Sequence, residues 1–163
     1  MGGMFWDGRA TGDTLGDPLA EQAQGPFLNP LEHGILNAAD LVKRVCAARY
    51  GPTFRAVWGK EACTGKVDLD YARIGWSIAA FERSREFSPF SSKYDAVLAG
   101  KAQLSAQEAS GLALFNGPGR CTKCHTAAPG PKGEPPLFTD FTYDNLGVPR
   151  NPLNLKSRRA AAA

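Results

Sequence analysis

The pattern that most constrains this chain is Cys-Thr-Lys-Cys-His at residues 121–125. It uses half of the four cysteines and one of the two histidines in 163 residues. Two thiols three positions apart, with an imidazole directly after the second, suit three chemistries: a zinc site, a redox-active dithiol, or covalent attachment of a c-type haem. Each of these three sites occurs in a different kind of fold, so the choice among them decides the fold class.

Spacing and context favour the haem. Zinc takes about four nitrogen or sulfur ligands in a tetrahedron, and the adjacent Cys124 and His125 are poorly placed to share one ion. The remaining ligands would have to come from elsewhere in the chain: Cys46, Cys63 or His33. A thioredoxin-like dithiol follows a strand, whereas this motif follows a predicted helix and a Gly-Pro-Gly turn. In the haem interpretation, Cys121 and Cys124 form the thioethers and His125 is the proximal iron ligand.

The first half of the sequence predicts helices after an irregular start. Residues 1–37 are rich in Gly, Asp and Pro and are predicted to be irregular. Asn37 is predicted to cap a helix with Asp40 in its first turn. Leu41 and Val45 fall on the apolar face of that helix. Pro52 is predicted to begin a second, short helix.

The second half continues the mainly α pattern. The clearest helix is predicted over about 68–87, with Arg73 on its solvent side. A short helix follows within 88–100, and Ser105 with Glu108 has the spacing of a capping box that opens another. The segment after the motif is rich in proline and is predicted to be irregular. The fold class is therefore mainly α, a c-type cytochrome domain with long irregular segments rich in glycine and proline.

Composition narrows the classes of partner. Apolar residues make up 43% of the chain and charged residues 21%, as in a globular protein. The net charge of +3 is too small to indicate nucleic acid as a partner. No apolar run reaches the roughly 20 residues of a membrane span. The first ten residues lack the basic and apolar regions of a signal peptide.

Five segments resemble, in the same order, the bacterial di-haem cytochrome c peroxidase family, including its relatives of the methylamine-utilisation type. They are FWDGRA at 5–10, EQAQGPFLNPLEHG at 21–34, FERSREFSPFSSKYD at 81–95, LFNGPGRCTKCH at 114–125 and FTDFTYDNLGVPRNP at 138–152. The resemblance covers nearly the whole chain. Family members have two mostly helical c-type haem domains, of which the first reacts with peroxide and the second supplies electrons.

The resemblance implies an organisation for this chain. Residues 1–37 correspond to the inter-haem and distal-pocket segment, and residues 38–163 to the C-terminal haem domain, incomplete at both ends relative to the family. The first attachment motif and the usual distal methionine are expected outside this chain. The expected cofactors are one covalent haem c here, a second in the full-length architecture, and calcium by family resemblance.

The resemblance also implies roles for three residues. Trp6 matches the tryptophan between the two haems and is either an electron relay or a packed aromatic side chain. Gln22 and Glu32 match the distal pocket pair, in which Glu32 moves a proton and Gln22 holds the peroxide. Without the resemblance, Glu32 would be assigned to the first turn of a helix. His33 stands where the family usually has methionine, and its role stays open, as does the distal iron ligand.

Two functions remain as hypotheses. The first is the electron-transfer part of a di-haem peroxidase that reduces hydrogen peroxide, with little turnover by this chain alone. The alternative is a non-catalytic mono-haem c-type electron-carrier subunit of a larger redox complex. The expected partners are a small redox donor such as a cytochrome c or cupredoxin, and another chain that carries the missing haem.

The family resemblance implies a periplasmic or otherwise exported protein. In an oxidising compartment, Cys46 and Cys63 have two alternatives: a disulfide or two buried free thiols.

Overall fold

The computed structural model describes residues 3–144 and 147–149. This part of the chain is helical, and its extended structure is limited to an isolated bridge between Met4 and Ala10. The helices are α1 (Pro18–Leu28), α2 (Ala38–Ala47), α3 (Gly51–Trp58), α4 (Val67–Glu82), α5 (Lys93–Leu98) and α6 (Ala106–Asn116), followed by a 3₁₀ turn at Cys121–Lys123. The mainly α prediction is confirmed. Among the described residues, no helix has the length and apolar character needed to cross a bilayer.

The described residues form two compact units. One contains residues 3–87 and Pro149, and the other contains residues 88–144, 147 and 148. The division falls after Phe87 because α1 and α2 both pack against α4 in the first unit. The sequence analysis placed a boundary after residue 37, between the inter-haem segment and the C-terminal haem domain. That boundary describes function rather than compactness, and it stays a prediction.

Helix α1 corrects the prediction that residues 1–37 are irregular throughout. Asp17 caps this helix by accepting a 2.9 Å hydrogen bond from the Leu19 amide, and Pro18 occupies its first turn. An aspartate followed by proline is a helix-start signal, since proline has no amide hydrogen that needs a partner there. The Gly and Pro content of the segment concealed this signal, and Pro26 lies inside the helix itself.

The core of the first unit lies where α2, α3 and α4 meet. The prediction that Asn37 caps α2 is confirmed, because its side chain accepts a 2.9 Å hydrogen bond from the Asp40 amide. Helix α1 approaches α4 closely at Gly75, where a Cβ would lie 2.7 Å from the Ala20 carbonyl oxygen. The buried core cluster consists of Leu41, Val42, Val45, Phe54, Ala62 and Ile74.

A disulfide joins Cys46, at the end of α2, to Cys63, in the loop before α4. Their Cα atoms are 5.8 Å apart. Of the two alternatives that the sequence left open for this pair, the structure therefore has the bridge rather than two free thiols.

Helix α4 differs from its prediction at its end and on one face. It ends at Glu82, five residues before the predicted end at Phe87. Arg73, predicted on the solvent side, is 9% exposed and pairs at 2.8 Å with Asp70, which is fully buried. Polarity alone suggested solvent, but an aspartate three positions earlier on the helix supplies the partner that lets an arginine be buried.

In the second unit, α5 and α6 each begin with a capping box, at Ser92 with Asp95 and at Ser105 with Glu108. The second box was predicted. Lys93 also forms an ion pair with Glu108. The hydrogen bond from Lys93, followed by that from the Ser105 amide, lowers the pKa of Glu108 to about 2. This one carboxylate therefore ties the start of α5 to the start of α6.

Candidate functional site

The Cys-x-x-Cys-His motif forms a single tight turn after α6. The Gly119 amide donates to the Leu114 carbonyl at 2.8 Å and so closes the end of the helix. Arg120 then adopts a left-handed conformation with φ 58°. The His125 amide donates to the Cys121 carbonyl at 2.9 Å, which places the two cysteines and the histidine on one turn. Both thiols are exposed and unbridged.

The His125 ring is held in one orientation by the backbone. Its Nδ1 lies 2.8 Å from the Phe138 carbonyl oxygen. A carbonyl oxygen can only accept a hydrogen bond, so Nδ1 carries a proton, and in the neutral ring Nε2 has the lone pair. Metal-bound histidines show this arrangement, in which the hydrogen bond of one ring nitrogen leaves the other free for the metal. The ring is therefore prepared to bind a metal through Nε2.

The surroundings of Cys124 disfavour a redox dithiol. The Cys124 sulfur and the carboxylates of Asp140 and Asp144 lie within 4.8 Å of one another, and all three residues are exposed. Desolvation and the negative charges of Asp144 and Asp140 raise the pKa of the Cys124 thiol. Reactive Cys-x-x-Cys dithiols have a lowered thiol pKa. The raised pKa of Cys124 is the opposite of that pattern.

Two of the cysteines that the sequence offered as further zinc ligands are not available. Cys46 and Cys63 are bonded to each other and have no thiolate to give. Of the three chemistries considered from the sequence, haem attachment is the one whose whole donor set is assembled on one turn.

Apolar surface around the motif suits a porphyrin. Helix α6 has no buried residue along its length, although it carries leucine and phenylalanine side chains. Five apolar residues before and after the motif keep between 38% and 60% of their area exposed: Leu114, Leu137, Phe138, Phe141 and Tyr143. Exposed apolar area of this kind marks a surface that another group covers. The thiols, the oriented imidazole and this apolar surface together fit a covalently attached haem.

The residues expected in the peroxide pocket lie in the first unit. Gln22 is half-buried on α1, and its amide makes no hydrogen bond within the part of the chain that the structure describes. Glu32 is exposed in the turn after α1 and accepts a 2.8 Å hydrogen bond from the Asn29 amide group. It is therefore not a first-turn helix charge. The His33 ring meets Phe27 edge to face, with ring centroids 5.2 Å apart.

Trp6 lies in a tight turn closed by a 3.0 Å hydrogen bond from the Gly8 amide to the Phe5 carbonyl. Its side chain is 71% exposed within the part of the chain that the structure describes. No described hydrogen bond joins Trp6 to Gln22 or Glu32. The three keep their expected roles as predictions.

The first unit also contains an open apolar cavity of about 750 Å³, which the sequence did not predict. Side chains of α2, α3 and α4 line it together with Phe27 of α1. Gln22 and Glu32 are not among the lining residues. The expected peroxide-pocket residues and this cavity are thus distinct features of the unit.

Sequence reasoning did not identify the residues that contact Phe138. Phe138 binds the motif through its backbone carbonyl, which accepts the hydrogen bond from His125. That bond forms only because the fold brings residue 138 close to residue 125. The ring of Phe138 contacts Tyr94 and Phe115, with centroid distances of 5.5 and 6.0 Å. The proline-rich composition of this segment predicted its irregular backbone, but carried no signal for these contacts.

Comparison with known proteins places the chain in a family. A family model described as di-haem cytochrome c peroxidase matches residues 1–103. The chain is 37% identical over 155 residues to methylamine utilization protein MauG of Paracoccus denitrificans, a match that covers 92% of this chain and 37% of that protein. It is 29% identical over 154 residues to cytochrome-c peroxidase IdrP1 of Denitromonas iodatirespirans, covering 91% of this chain and 35% of that one.

Solved structures agree. The diheme peroxidase BthA from Burkholderia thailandensis matches with a TM-score of 0.74 and 36% identity, over 96% of this chain and 37% of that one. The fold and the motif define a helical protein of the c-type haem class. The chain belongs to the di-haem cytochrome c peroxidase family, whose cofactor is haem c. It spans little more than a third of the length of the curated relatives it matches.

Proposed function

We propose that this chain carries one covalent haem c that supplies electrons within a di-haem peroxidase, together with part of the pocket in which hydrogen peroxide is reduced. The observation that carries the proposal is the geometry of His125, whose Nδ1 is bound to the Phe138 carbonyl at 2.8 Å. This leaves Nε2 for iron on the same turn as two exposed thiols. When bound, the haem accepts and passes on single electrons.

The chain's own residues have separate tasks. Cys121 and Cys124 would hold the porphyrin through thioethers, and His125 would supply a nitrogen ligand to its iron. Trp6 is the relay for electrons towards the peroxide site. An exposed indole in a tight turn offers a π-system that another part of the protein can cover.

Reduction of hydrogen peroxide to two molecules of water consumes two electrons and two protons. Glu32 takes a proton from one peroxide oxygen and gives it to the other, so one carboxylate acts as base and then as acid. Gln22 donates a hydrogen bond that holds the peroxide. The side-chain amide of Gln22 is half-buried and makes no hydrogen bond among the described residues, so its N–H groups are available as donors.

The first test counts covalent haems. Intact-mass spectrometry and the pyridine haemochrome spectrum of the protein are expected to show one haem attached through residues 121–125. Cys121→Ala or Cys124→Ala should leave a single thioether, and the double variant should retain no haem after denaturation. Zinc instead of iron at the motif, or no attached porphyrin in the unsubstituted protein, would refute the proposal.

The second test addresses peroxide chemistry. Peroxide consumption is measured with a reduced small redox protein as donor, in a preparation that holds both haems. Glu32→Gln is expected to lower the rate by about 10²–10⁴-fold, the usual contribution of a general acid–base group. Glu61→Gln removes another exposed carboxylate of the same unit and should have little effect. Equal rates for both variants would remove Glu32 from the mechanism.

The alternative is a mono-haem electron carrier in a larger redox complex. It is favoured by one observation, the single Cys-x-x-Cys-His motif in this chain. The same preparation discriminates, since a carrier would take up electrons from a cytochrome c or cupredoxin without consuming peroxide. We also propose an exported, periplasmic protein. The Cys46–Cys63 disulfide supports this location, because such bonds persist in oxidising compartments.

A further inference from the structure

We propose that Tyr94 and Phe115 are positioning residues for the iron-binding histidine. They hold the ring of Phe138, and thereby keep the Phe138 carbonyl on Nδ1 of His125. The inference rests on the proposed function, because it takes His125 as the haem ligand. All four residues belong to the second compact unit.

The backbone of Phe138 needs such support. Phe138 has φ 54°, in the left-handed region that residues with a side chain seldom adopt. This conformation directs its carbonyl to the His125 ring at 2.8 Å. The hydrogen bond joins residues 13 positions apart, and the loop between them contains neither helix nor strand. Regular structure therefore does not hold the carbonyl in place.

Aromatic packing supplies the restraint. The Phe138 ring lies 5.5 Å from the Tyr94 ring and 6.0 Å from the Phe115 ring, the second contact nearly edge to face at 73°. Ring pairs at these distances attract each other beyond the burial of their area. Tyr94 stands on α5 and Phe115 on α6, so two helices hold one side chain of the loop.

Tyr94 also restrains the chain on the histidine side. Its hydroxyl donates a 3.2 Å hydrogen bond to the carbonyl of Ala127, two residues after His125. Ala127 is buried, with 5% of its area exposed. One tyrosine therefore contacts both partners: the backbone next to the histidine and the residue whose carbonyl binds it.

This arrangement matters for the haem because a hydrogen bond from Nδ1 makes the histidine a more basic ligand. A more basic ligand stabilises ferric over ferrous iron and lowers the reduction potential. Loss of the aromatic contacts should therefore raise the potential. Greater access of water after truncation of a ring acts in the opposite direction, because water stabilises the more highly charged ferric state. The sign of the shift separates positioning from simple shielding.

The test uses the full haem-loaded chain with ¹⁵N-labelled histidine. In the ferrous state, the exchange of the His125 Nδ1 proton with water is measured by NMR, and the midpoint potential by titration. Tyr94→Ala and Phe115→Ala are expected to accelerate exchange about tenfold, near the upper end of the net contribution of one hydrogen bond, and to raise the potential. Leu98→Ala, a truncation of an exposed leucine on α5, is the matched control and should match the unsubstituted protein.

Two further variants address the backbone directly. Phe138→Gly and Phe138→Ala both remove the ring, but only glycine adopts positive φ without strain. Exchange should stay slower in Phe138→Gly than in Phe138→Ala. Tyr94→Phe keeps the ring contact and loses only the Ala127 hydrogen bond, so it should lie nearer to the unsubstituted protein than to Tyr94→Ala. These variants still test the positioning role if Tyr94→Ala does not fold.

The outcomes separate this inference from the proposed function. Absence of covalent haem in the unsubstituted protein would refute the function itself. If haem is attached but exchange in Tyr94→Ala and Phe115→Ala equals that of Leu98→Ala, or the potential falls, the positioning role alone is overturned. Equal exchange in Phe138→Gly and Phe138→Ala would likewise contradict it.

Discussion

Asp70 shows how one side chain organises a part of the first unit. It is fully buried, and both of its oxygens are bound: Oδ1 accepts from Arg73 and Oδ2 from the Cys63 amide, each at 2.8 Å. Cys63 has φ 68°, a left-handed conformation that is unusual for a residue with a side chain. The carboxylate therefore neutralises a buried guanidinium and holds the backbone of a disulfide cysteine.

Asp70→Asn should destabilise the protein by about 3 kcal/mol, since it leaves a buried arginine without its counter-charge. Urea unfolding of the full chain, followed by helical circular dichroism, measures the free energy of unfolding. Asp68→Asn on the same helix is the control, because Asp68 is exposed. It should cost less than about 1 kcal/mol. Equal losses for the two variants would contradict this role for Asp70.

At the scale of elements, α1 is joined to α4 through their ends. Asp17 caps the start of α1, and its two oxygens accept from the guanidinium of Arg83, the C-terminal cap of α4, both at 2.8 Å. The hydrogen bond from Arg83 is the main cause that lowers the pKa of Asp17 below its ordinary value of 3.8, with burial opposing it and the Leu19 amide adding to it. One carboxylate thus serves both a cap and an ion pair.

Acid should weaken this link. The pKa of Asp17 is lower in the folded than in the unfolded chain, so the unfolded chain binds the proton more readily and stability rises with pH in this window. The contribution is complete above the ordinary value of 3.8 and is lost as pH falls through the lowered pKa.

Asp17→Asn keeps a capping oxygen and removes the charge. At pH 7 we expect a loss below about 1 kcal/mol, because the pair is partly exposed to solvent. As the pH falls below about 4, its stability should decline less steeply than that of the unsubstituted protein, as measured by urea unfolding at several pH values. Asp68→Asn is again the comparison. An acid profile unchanged by Asp17→Asn would show that this carboxylate does not govern the transition.

At the scale of the whole molecule, the chain contains two kinds of cysteine chemistry in two compact units. Cys46 and Cys63 form a covalent link within the first unit. Cys121 and Cys124, in the second unit, form no disulfide and are available for haem attachment. The pairing follows from position, since α2 and the loop before α4 adjoin one core, whereas the motif cysteines lie on a separate turn.

Reduction of the disulfide should lower the stability of the first unit by about 3 kcal/mol, given that the bridge closes a loop of 17 residues. The double variant Cys46→Ala with Cys63→Ala should show the same loss in urea. Intact mass should rise by two hydrogen atoms on reduction, while thioether-bound haem at residues 121–125 stays attached. An unchanged mass on reduction would exclude the bridge.

Features that depend on neighbours in sequence were predicted well. The caps at Asn37 and Ser105 are confirmed. They could be predicted because each involves residues only three positions apart. The motif at 121–125 is equally local, and it led to haem attachment and, with the five matching segments, to the family. The end of α4 was mistaken and helix α1 was missed, because glycine and proline content and apolar spacing describe averages rather than a particular helix terminus.

The sequence by itself determined the helical class, the attachment motif and the family. The tertiary structure decided which residue orients His125, that Arg83 pairs with Asp17, and that Cys46 pairs with Cys63. The physical reason is distance along the chain. A hydrogen bond from residue 125 to residue 138, or from residue 83 to residue 17, forms only when the packing of whole helices brings the two ends together. No local pattern encodes that packing energy.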